Sequence, residues 1–283
     1  MRKRIWKVGE RVFNVSRQGL IMGVLNVTPD SFSDGGKFFE LEKAIEQGVK
    51  MAAEGADMID VGGESTRPGA EPVAAGEELR RVIPVIEKLK AKIDVPISID
   101  TSKTEVAHAA IEAGASIVND ITGARGDHGM LPLIAETKSA FIIMHMQGTP
   151  RTMQNRPQYE DVVSEVANFF RQQYARAIEC SVDPMAIAFD PGIGFGKTLE
   201  HNLELLAQLE RLRADDRPLV VGVSRKSFLA KLIDSPEIEE RLGPAVALTS
   251  VLRARGADVF RVHDVKENVS ALRVTEAILR RAG

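Results

Sequence analysis

The 283-residue chain is expected to fold as one α/β domain, a (β/α)8 barrel with a short N-terminal β-hairpin. Three observations lead there. Short apolar runs recur along the chain, and each stops on a polar or charged residue. Stretches with helical spacing separate them. No Pro/Ser-rich linker or break in composition divides residues 1–283, so one large barrel is a better reading than two ordinary domains. A chain of this size can bury roughly 75% of its unfolded surface, and it needs no staples.

The elements follow in order. Arg4 to Val15 read as a hairpin turning at Gly9-Glu10, within an extension of about residues 1–17 placed to plug the barrel bottom. Strand one, Leu20 to Val27, ends at Asn26. Glu40 to Glu54 are helical, with Gly55 as a C-cap. Strand two, Asp57 to Val61, carries Asp60, and Ala75 to Lys90 form its helix. Strand three, Val95 to Asp100, precedes a helix ending near Gly114, where Ser102 and Glu105 have capping-box spacing. Strand four, Ser116 to Asn119, precedes a short helix near Met130 to Glu136. Strand five, Ala140 to His145, is followed by a long helix from Tyr159 to Glu179. Strand six is Ala186 to Asp190, then a helix from Glu200 to Arg213. Strand seven is Leu219 to Ser224, followed by helical segments at Ser227 to Ile233 and Pro244 to Arg255. Strand eight is Asp258 to His263, and Glu267 to Arg281 close the chain.

Strand parity then selects the site. Side chains two apart share a face. Met58 and Asp60, Ser98 and Asp100, Gly222, Ser224 and Lys226, and Arg261 and His263 are therefore expected to point together, into the mouth at the strand C-termini.

Bulk properties narrow the function. A net charge of −3 with interspersed signs gives no field suited to nucleic acid or anionic membrane. The lone Cys180 excludes an intrachain disulfide and a cysteine metal cluster. The segment from Met1 to Trp6 is basic without a long apolar stretch, so neither a signal peptide nor a membrane span is expected there, and the cytoplasm is the expected location.

The loops carry the chemistry. NVTPDSFSDGG (26–36) and DVGGESTRPGA (60–70) are long polar loops able to fold over a ligand. DPGIGFGKT (190–198) is neither a P-loop nor a dinucleotide fingerprint; its glycines are expected to let backbone approach a ligand. SRKSF (224–228) places cations after strand seven, where barrels often bind phosphate, and Arg261 and His263 are expected to complete an anion pocket. Asp100, Asn119 and Asp190 suit a flat heterocycle with paired N–H donors. His108, His128 and His201 are expected to be solvated, and Ser224 stands in no GxSxG frame.

Together with SIDTSKTEVA (98–107), IVNDI (117–121), IMHMQGTPRTMQ (143–154) and RVHDV (261–265), these segments resemble the dihydropteroate synthases over nearly the whole chain. The resemblance implies a barrel, a homodimer and Mg²⁺. It implies transfer of the dihydropterin-methyl group from 6-hydroxymethyl-7,8-dihydropterin diphosphate to 4-aminobenzoate, an SN1-like step in folate biosynthesis. By resemblance, Asp100, Asn119, Ile121, Met144, Asp190, Gly222 and Lys226 take the pterin. Asn26, Arg261 and His263 take the diphosphate, with Asn26 at the metal. Thr66, Arg67, Pro68, Phe195 and Ser227 shape the aminobenzoate pocket. Lys226, Arg261, His263 and Asp34 are the implied catalytic set, Asp34 acting from the first loop. Two rivals share the pterin grip: a methyltransferase working with a corrinoid protein, and a non-catalytic pterin-binding module. The cations of SRKSF and RVHDV argue against the methyltransferase, because methyl transfer releases no diphosphate. The intact loop and anion motifs argue against the binding module. Asp60 and His145 obey the strand-end pattern without an assigned role.

Overall fold

A computed structural model describes residues 3–27 and 37–282. Its main sheet has eight parallel strands: β3 (Leu20–Asn26), β4 (Met58–Gly62), β5 (Ile97–Asp100), β6 (Ile117–Asp120), β7 (Ala140–Met144), β8 (Ile187–Asp190), β9 (Val220–Val221) and β10 (Val259–Val262). The order runs β8-β7-β6-β5-β4-β3-β10-β9, and a parallel bridge between Phe189 and Leu219 closes the ring. Helices α1 (Lys37–Ala53), α2 (Ala75–Lys90), α3 (Thr104–Glu112), α4 (Met130–Thr137), α5 (Val162–Glu179), α6 (Leu199–Ala207), α7 (Ser227–Ile233), α8 (Leu242–Ala254) and α9 (Val265–Ala282) follow the strands. The expected (β/α)8 barrel is present, with Asp34 outside the described residues.

The strands form because both faces can be buried. Ile59, Val61, Ile97, Ile99, Val118, Phe141, Ile143, Ile187, Phe189, Phe260 and Val262 face outward into the core shared with the helices. Alternate residues Leu20, Met22, Met58, Ile117, Ala140, Ile142, Ala188, Val220 and Val259 fill the barrel interior at its lower end.

The hairpin seals that end. Strands β1 (Ile5–Val8) and β2 (Arg11–Asn14) pair antiparallel, and Trp6, Val8 and Val15 join the interior cluster. The Trp6 indole is fully buried and donates to the Ala186 carbonyl at 3.0 Å. Asp258, also fully buried, ties hairpin to barrel: it accepts from Arg4 Nε at 3.1 Å, Arg213 at 2.7 Å and the Leu219 amide at 3.0 Å.

Several boundaries differ from the sequence expectation for identifiable reasons. The Ser102/Glu105 capping box does not form. α3 starts after Lys103, whose ammonium reaches Glu64 and Glu78, and Asp127 accepts the Thr104 amide at 2.9 Å instead. α5 starts at Val162 rather than near Tyr159 because Asp161 accepts from the Val163 and Ser164 amides. The helix expected to Arg213 stops at Ala207 and continues as a 3₁₀ turn, Leu209–Leu212. The strand expected from Leu219 to Ser224 pairs with β10 only at Val220–Val221, beside the single Leu219 bridge to Phe189. Beyond it the chain turns into the mouth, with Arg225 in the left-handed region at φ 59°.

Trp6 is the largest side chain in the plug. Trp6→Ala should cost about 3–5 kcal/mol of unfolding free energy by urea titration. A loss under 1 kcal/mol would mean the barrel bottom closes without the hairpin.

Candidate active site

One polar layer crosses the barrel where the strands end. Asp60 (β4), Asp100 (β5), Asn119 (β6), Asp190 (β8) and Arg261 (β10) stand above the apolar interior. Arg261 reaches across to two of them: its Nε donates to Asp60 Oδ2 at 2.6 Å and its Nη2 to Asp100 Oδ2 at 2.7 Å. Asn119 Nδ2 donates to the same Asp60 oxygen at 3.3 Å. Asp60 is therefore the hub of the layer. The strand-end pattern had included it, but no motif assigned it a task.

Burial and charge act against each other here. Desolvation pushes the Asp100 carboxyl up to about 7 despite Arg261, and Asp60 pushes the same way. Burial also raises Asp190, while Lys226 and the Gly192 amide, 2.7 Å from Asp190 Oδ1, oppose it. Lys226 precedes α7 and is half-buried; desolvation brings its ammonium down to about 8 against the pull of Asp190. Its ammonium donates to the Ile193 carbonyl and stands 4.7 Å above the centre of the Phe195 ring. Gly222 leaves room below: a Cβ there would stand 3.6 Å from Arg261 Cβ and 3.8 Å from Lys226 Nζ.

The adjoining wall is apolar. Ile121, Met144, Met146 and Met153 form a cluster separate from the main core, and Phe195 packs on it. Met146 and Met153 were not expected there; they follow β7 in a loop without periodicity. Phe195 stands in the β8 loop, where two glycines also let backbone pack closely on backbone. Added at Gly192, a Cβ would fall 2.0 Å from the His145 carbonyl oxygen; at Gly196 it would fall 2.4 Å from that of Gln147. With φ values of +62° and +60°, these glycines let the loop lie against the β7 loop. Lys197 fastens the two loops from the buried side, donating to His145 Nδ1 at 3.1 Å and to the Phe195 carbonyl at 2.9 Å. Tyr159 adds a hydroxyl bond to the Gly196 carbonyl at 2.8 Å. His201 is not simply solvated: it forms a reciprocal capping box with Thr198 at the start of α6. His108 and His128 are exposed as expected.

The third sector holds the anion residues. His263 follows β10; Ser224 Oγ lies 3.1 Å from its Nδ1 and accepts its backbone N–H at 3.2 Å. Burial, then Arg225 and Arg261, press this imidazole down to about 3, so His263 enters the expected anion pocket as a neutral hydrogen-bonding group. Arg225 pairs with Asp264 at 2.7 Å. Arg67 and Pro68 are exposed and Thr66 half-buried in the loop after β4, which the Gly69 amide ties to the Pro150 carbonyl at 3.1 Å. Ser227 is exposed at the start of α7. Asn26, half-buried at the end of β3, faces the space above Gly62: a Cβ on Gly62 would lie 3.7 Å from both Asn26 Oδ1 and Asp100 Oδ2. Among the described residues no three His, Cys, Asp or Glu side chains converge as a metal cage. Asn26 offers a single hard oxygen donor, which fits an ion that arrives with phosphate oxygens, as Mg²⁺ does.

The chain matches the model of a family described as pterin binding enzyme over residues 22–263. It is 47% identical to a dihydropteroate synthase of Synechocystis over 96% of this chain and 94% of that protein. It is 48% identical to the Escherichia coli dihydropteroate synthase, over 92% of this chain and 91% of that one. Among solved structures it is similar to a Xanthomonas albilineans dihydropteroate synthase with 4-aminobenzoic acid, at TM-score 0.91 and 42% identity over 98% of this chain and 99% of that one. It is also similar to an enzyme from the same organism in complex with 7,8-dihydropteroate, at TM-score 0.87 and 39% identity over 97% and 98%.

Arg261→Ala should reveal the layer's electrostatics. Asp100 has a raised folded pKa, so its contribution to stability is full at low pH and is lost as pH rises through about 7. Removing the guanidinium should cost about 3–5 kcal/mol at pH 8 and clearly less at pH 5, by denaturant unfolding. An equal loss at both pH values would contradict the pairing.

Proposed function

The chain belongs to the pterin-binding enzyme family, among its dihydropteroate synthases, and on that premise we propose that its barrel mouth joins 4-aminobenzoate to a dihydropterin-methyl diphosphate. One observation carries the reading. Buried Asp100, Asn119 and Asp190 converge with the half-buried Lys226, a donor–acceptor set suited to the edge of a flat, N–H-rich heterocycle.

The roles follow from position. Asp190 and Asp100 accept from the pterin's N–H groups, while Asn119 and Lys226 hydrogen-bond its remaining ring atoms. Gly222 leaves the floor open, and Ile121 and Met144 bound the ring. The pterin supplies the hydrogen bonds that compensate Asp100 and Asp190 for burial. Asn26, Arg261 and His263 meet the diphosphate, with Arg67 and Arg225 adding positive potential about His263. Mg²⁺ held by Asn26 and the diphosphate would neutralise charge on the leaving group.

The transfer breaks the bond between the pterin methylene carbon and the diphosphate oxygen, and the electron pair leaves on diphosphate. The positive charge on the methylene delocalises into the ring, above the carboxylates of the layer. The arylamine nitrogen, unprotonated near neutrality, donates its pair to that carbon and releases a proton. Phe195, Thr66, Pro68 and Ser227 shape the amine's pocket and Arg67 takes its carboxylate. Asp34, outside the described residues, completes the catalytic set that the resemblance implies. No serine or cysteine nucleophile is needed.

We place the reaction in the cytoplasm, consistent with an exposed, unpaired Cys180. Among the described residues no helix is long and apolar enough to cross a membrane. We propose a homodimer through α8 and α9, which pack on each other and expose Val251, Val274 and Ile278 by 48%, 62% and 64%. Sedimentation should give a dimer, and Val251→Asp with Ile278→Asp should give monomers; a monomeric parent would end this proposal.

The activity is tested by mixing pterin diphosphate, 4-aminobenzoate and Mg²⁺. Diphosphate release should require the amine, and its absence would overturn the assignment. Lys226→Ala and Asp190→Asn should each weaken pterin-diphosphate binding by about 100-fold or more in calorimetric titration. Chelating Mg²⁺ should weaken that binding in the parent, and near-parental affinity of Lys226→Ala would contradict the grip.

A further inference from the structure

Lys197 is a buried lysine that the transfer just described does not use; burial, then Lys226, pull its pKa well below the usual lysine value. Its side chain is almost inaccessible, at 3% exposure. Its terminal nitrogen sits among four acceptors, a shell that opposes the loss of its proton: His145 Nδ1 at 3.1 Å, and the carbonyls of His145 at 3.3 Å, Gly192 at 3.1 Å and Phe195 at 2.9 Å. Two belong to the β7 loop and two to the β8 loop. The imidazole is itself wedged edge-on against Phe169 of α5, with ring centres 4.9 Å apart, so the anchor is firm on its far side.

The β8 loop has an anchored face and a free face. Gly194 is held at both ends, its amide by Asn202 Oδ1 at 2.7 Å and its carbonyl by Gln154 Nε2 at 2.8 Å. Tyr159 holds the Gly196 carbonyl. What remains toward the mouth is the Phe195 ring and the Ile193 carbonyl, both beneath Lys226. Lys197 grips the carbonyl of Phe195 itself, two residues before its own position. Asp100, Asn119 and Gly222, by contrast, stand on or beside other strands and share no hydrogen bond with Lys197.

We propose that Lys197 is a positioning residue for the aminobenzoate pocket: its ammonium gathers the carbonyls of two loops from below and thereby fixes the Phe195 ring on which the amine substrate packs. The proposal rests on the transfer reading of this mouth. It separates the two substrates, because Asp100, Asn119 and Gly222 stand off the β8 loop, and Asp190 and Lys226, which touch it at the Gly192 amide and the Ile193 carbonyl, are carried by β8 and by the start of α7. A purely structural lysine would impair both alike.

Lys197→Met keeps the length and removes the donors. Its KM for 4-aminobenzoate should rise about tenfold or more, while calorimetric affinity for pterin diphosphate stays within about threefold of the parent. Circular dichroism and thermal melting would establish that the variant is folded. Should it not fold, His145→Asn removes the imidazole acceptor alone, leaves the three carbonyl bonds, and should raise the same KM by about threefold. An unchanged aminobenzoate KM in the folded variant, or equal loss toward both substrates, would overturn the proposal. A parent protein without amine-dependent diphosphate release would instead overturn the transfer reading, and this proposal with it.

Discussion

The mouth of this barrel depends on one guanidinium spanning it. Arg261 on β10 bonds Asp60 on β4 and Asp100 on β5, and these strands are separated by β3 and by one another around the ring. Removing so many charges from water is costly unless each finds a counter-charge. Arg261 provides one for two carboxylates, and Lys226 one for Asp190. The guanidinium's proton is held more tightly than usual because Asp60 and Asp100 outweigh its burial. Asp100, by contrast, stays poised near neutrality. A heterocycle presenting N–H groups would complete a set of interactions that the protein alone leaves partly unmet. Asp60 Oδ1 and Ser98 Oγ, buried without protein partners, lie on adjacent strands in this same interior region.

Around that layer the loops are fastened to each other more than to the strands beneath them. Lys197 joins the β7 and β8 loops, and Arg125 reaches from the β6 loop to the Met146 carbonyl at 2.5 Å. Asp120 folds its own turn by accepting from Thr122 and Ala124 amides at 2.7 and 2.8 Å, which sets the direction of Ile121. Lys103 bridges Glu64 of the β4 loop to Glu78 of α2. The pockets are therefore shaped by lateral ties between neighbouring loops. A substitution at a loop–loop contact can alter them, as the glycines at 192 and 196 illustrate: each makes room for a neighbouring carbonyl.

Much of the architecture was legible in the chain. Alternation along each strand places polar residues at the same end of every run, and a barrel turns that end into a common mouth. Asp100, Asn119, Asp190 and Arg261 were found this way, and Asp60 with them. The ends of elements were harder. Lys103 was drawn to Glu64 and Glu78 in place of a capping box at Ser102, and Asp161 rather than Tyr159 opened α5. The first depends on partners distant in sequence, which local spacing does not contain; the second is a local cap, Asp161 accepting amides two and three residues on, that the helical spacing from Tyr159 overran.

By itself the sequence determined the strand count, the inward set of residues and, through its motifs, the chemistry that set resembles. These follow from periodicity and from local residue types. Tertiary structure alone decided that Asp60 is the hub, that His263 is a neutral imidazole, and that Lys197 faces carbonyls instead of solvent. Each of those depends on how deeply a group is buried and what lies across the barrel from it. Desolvation and through-space charge are properties of the closed ring, and no stretch of chain carries them alone.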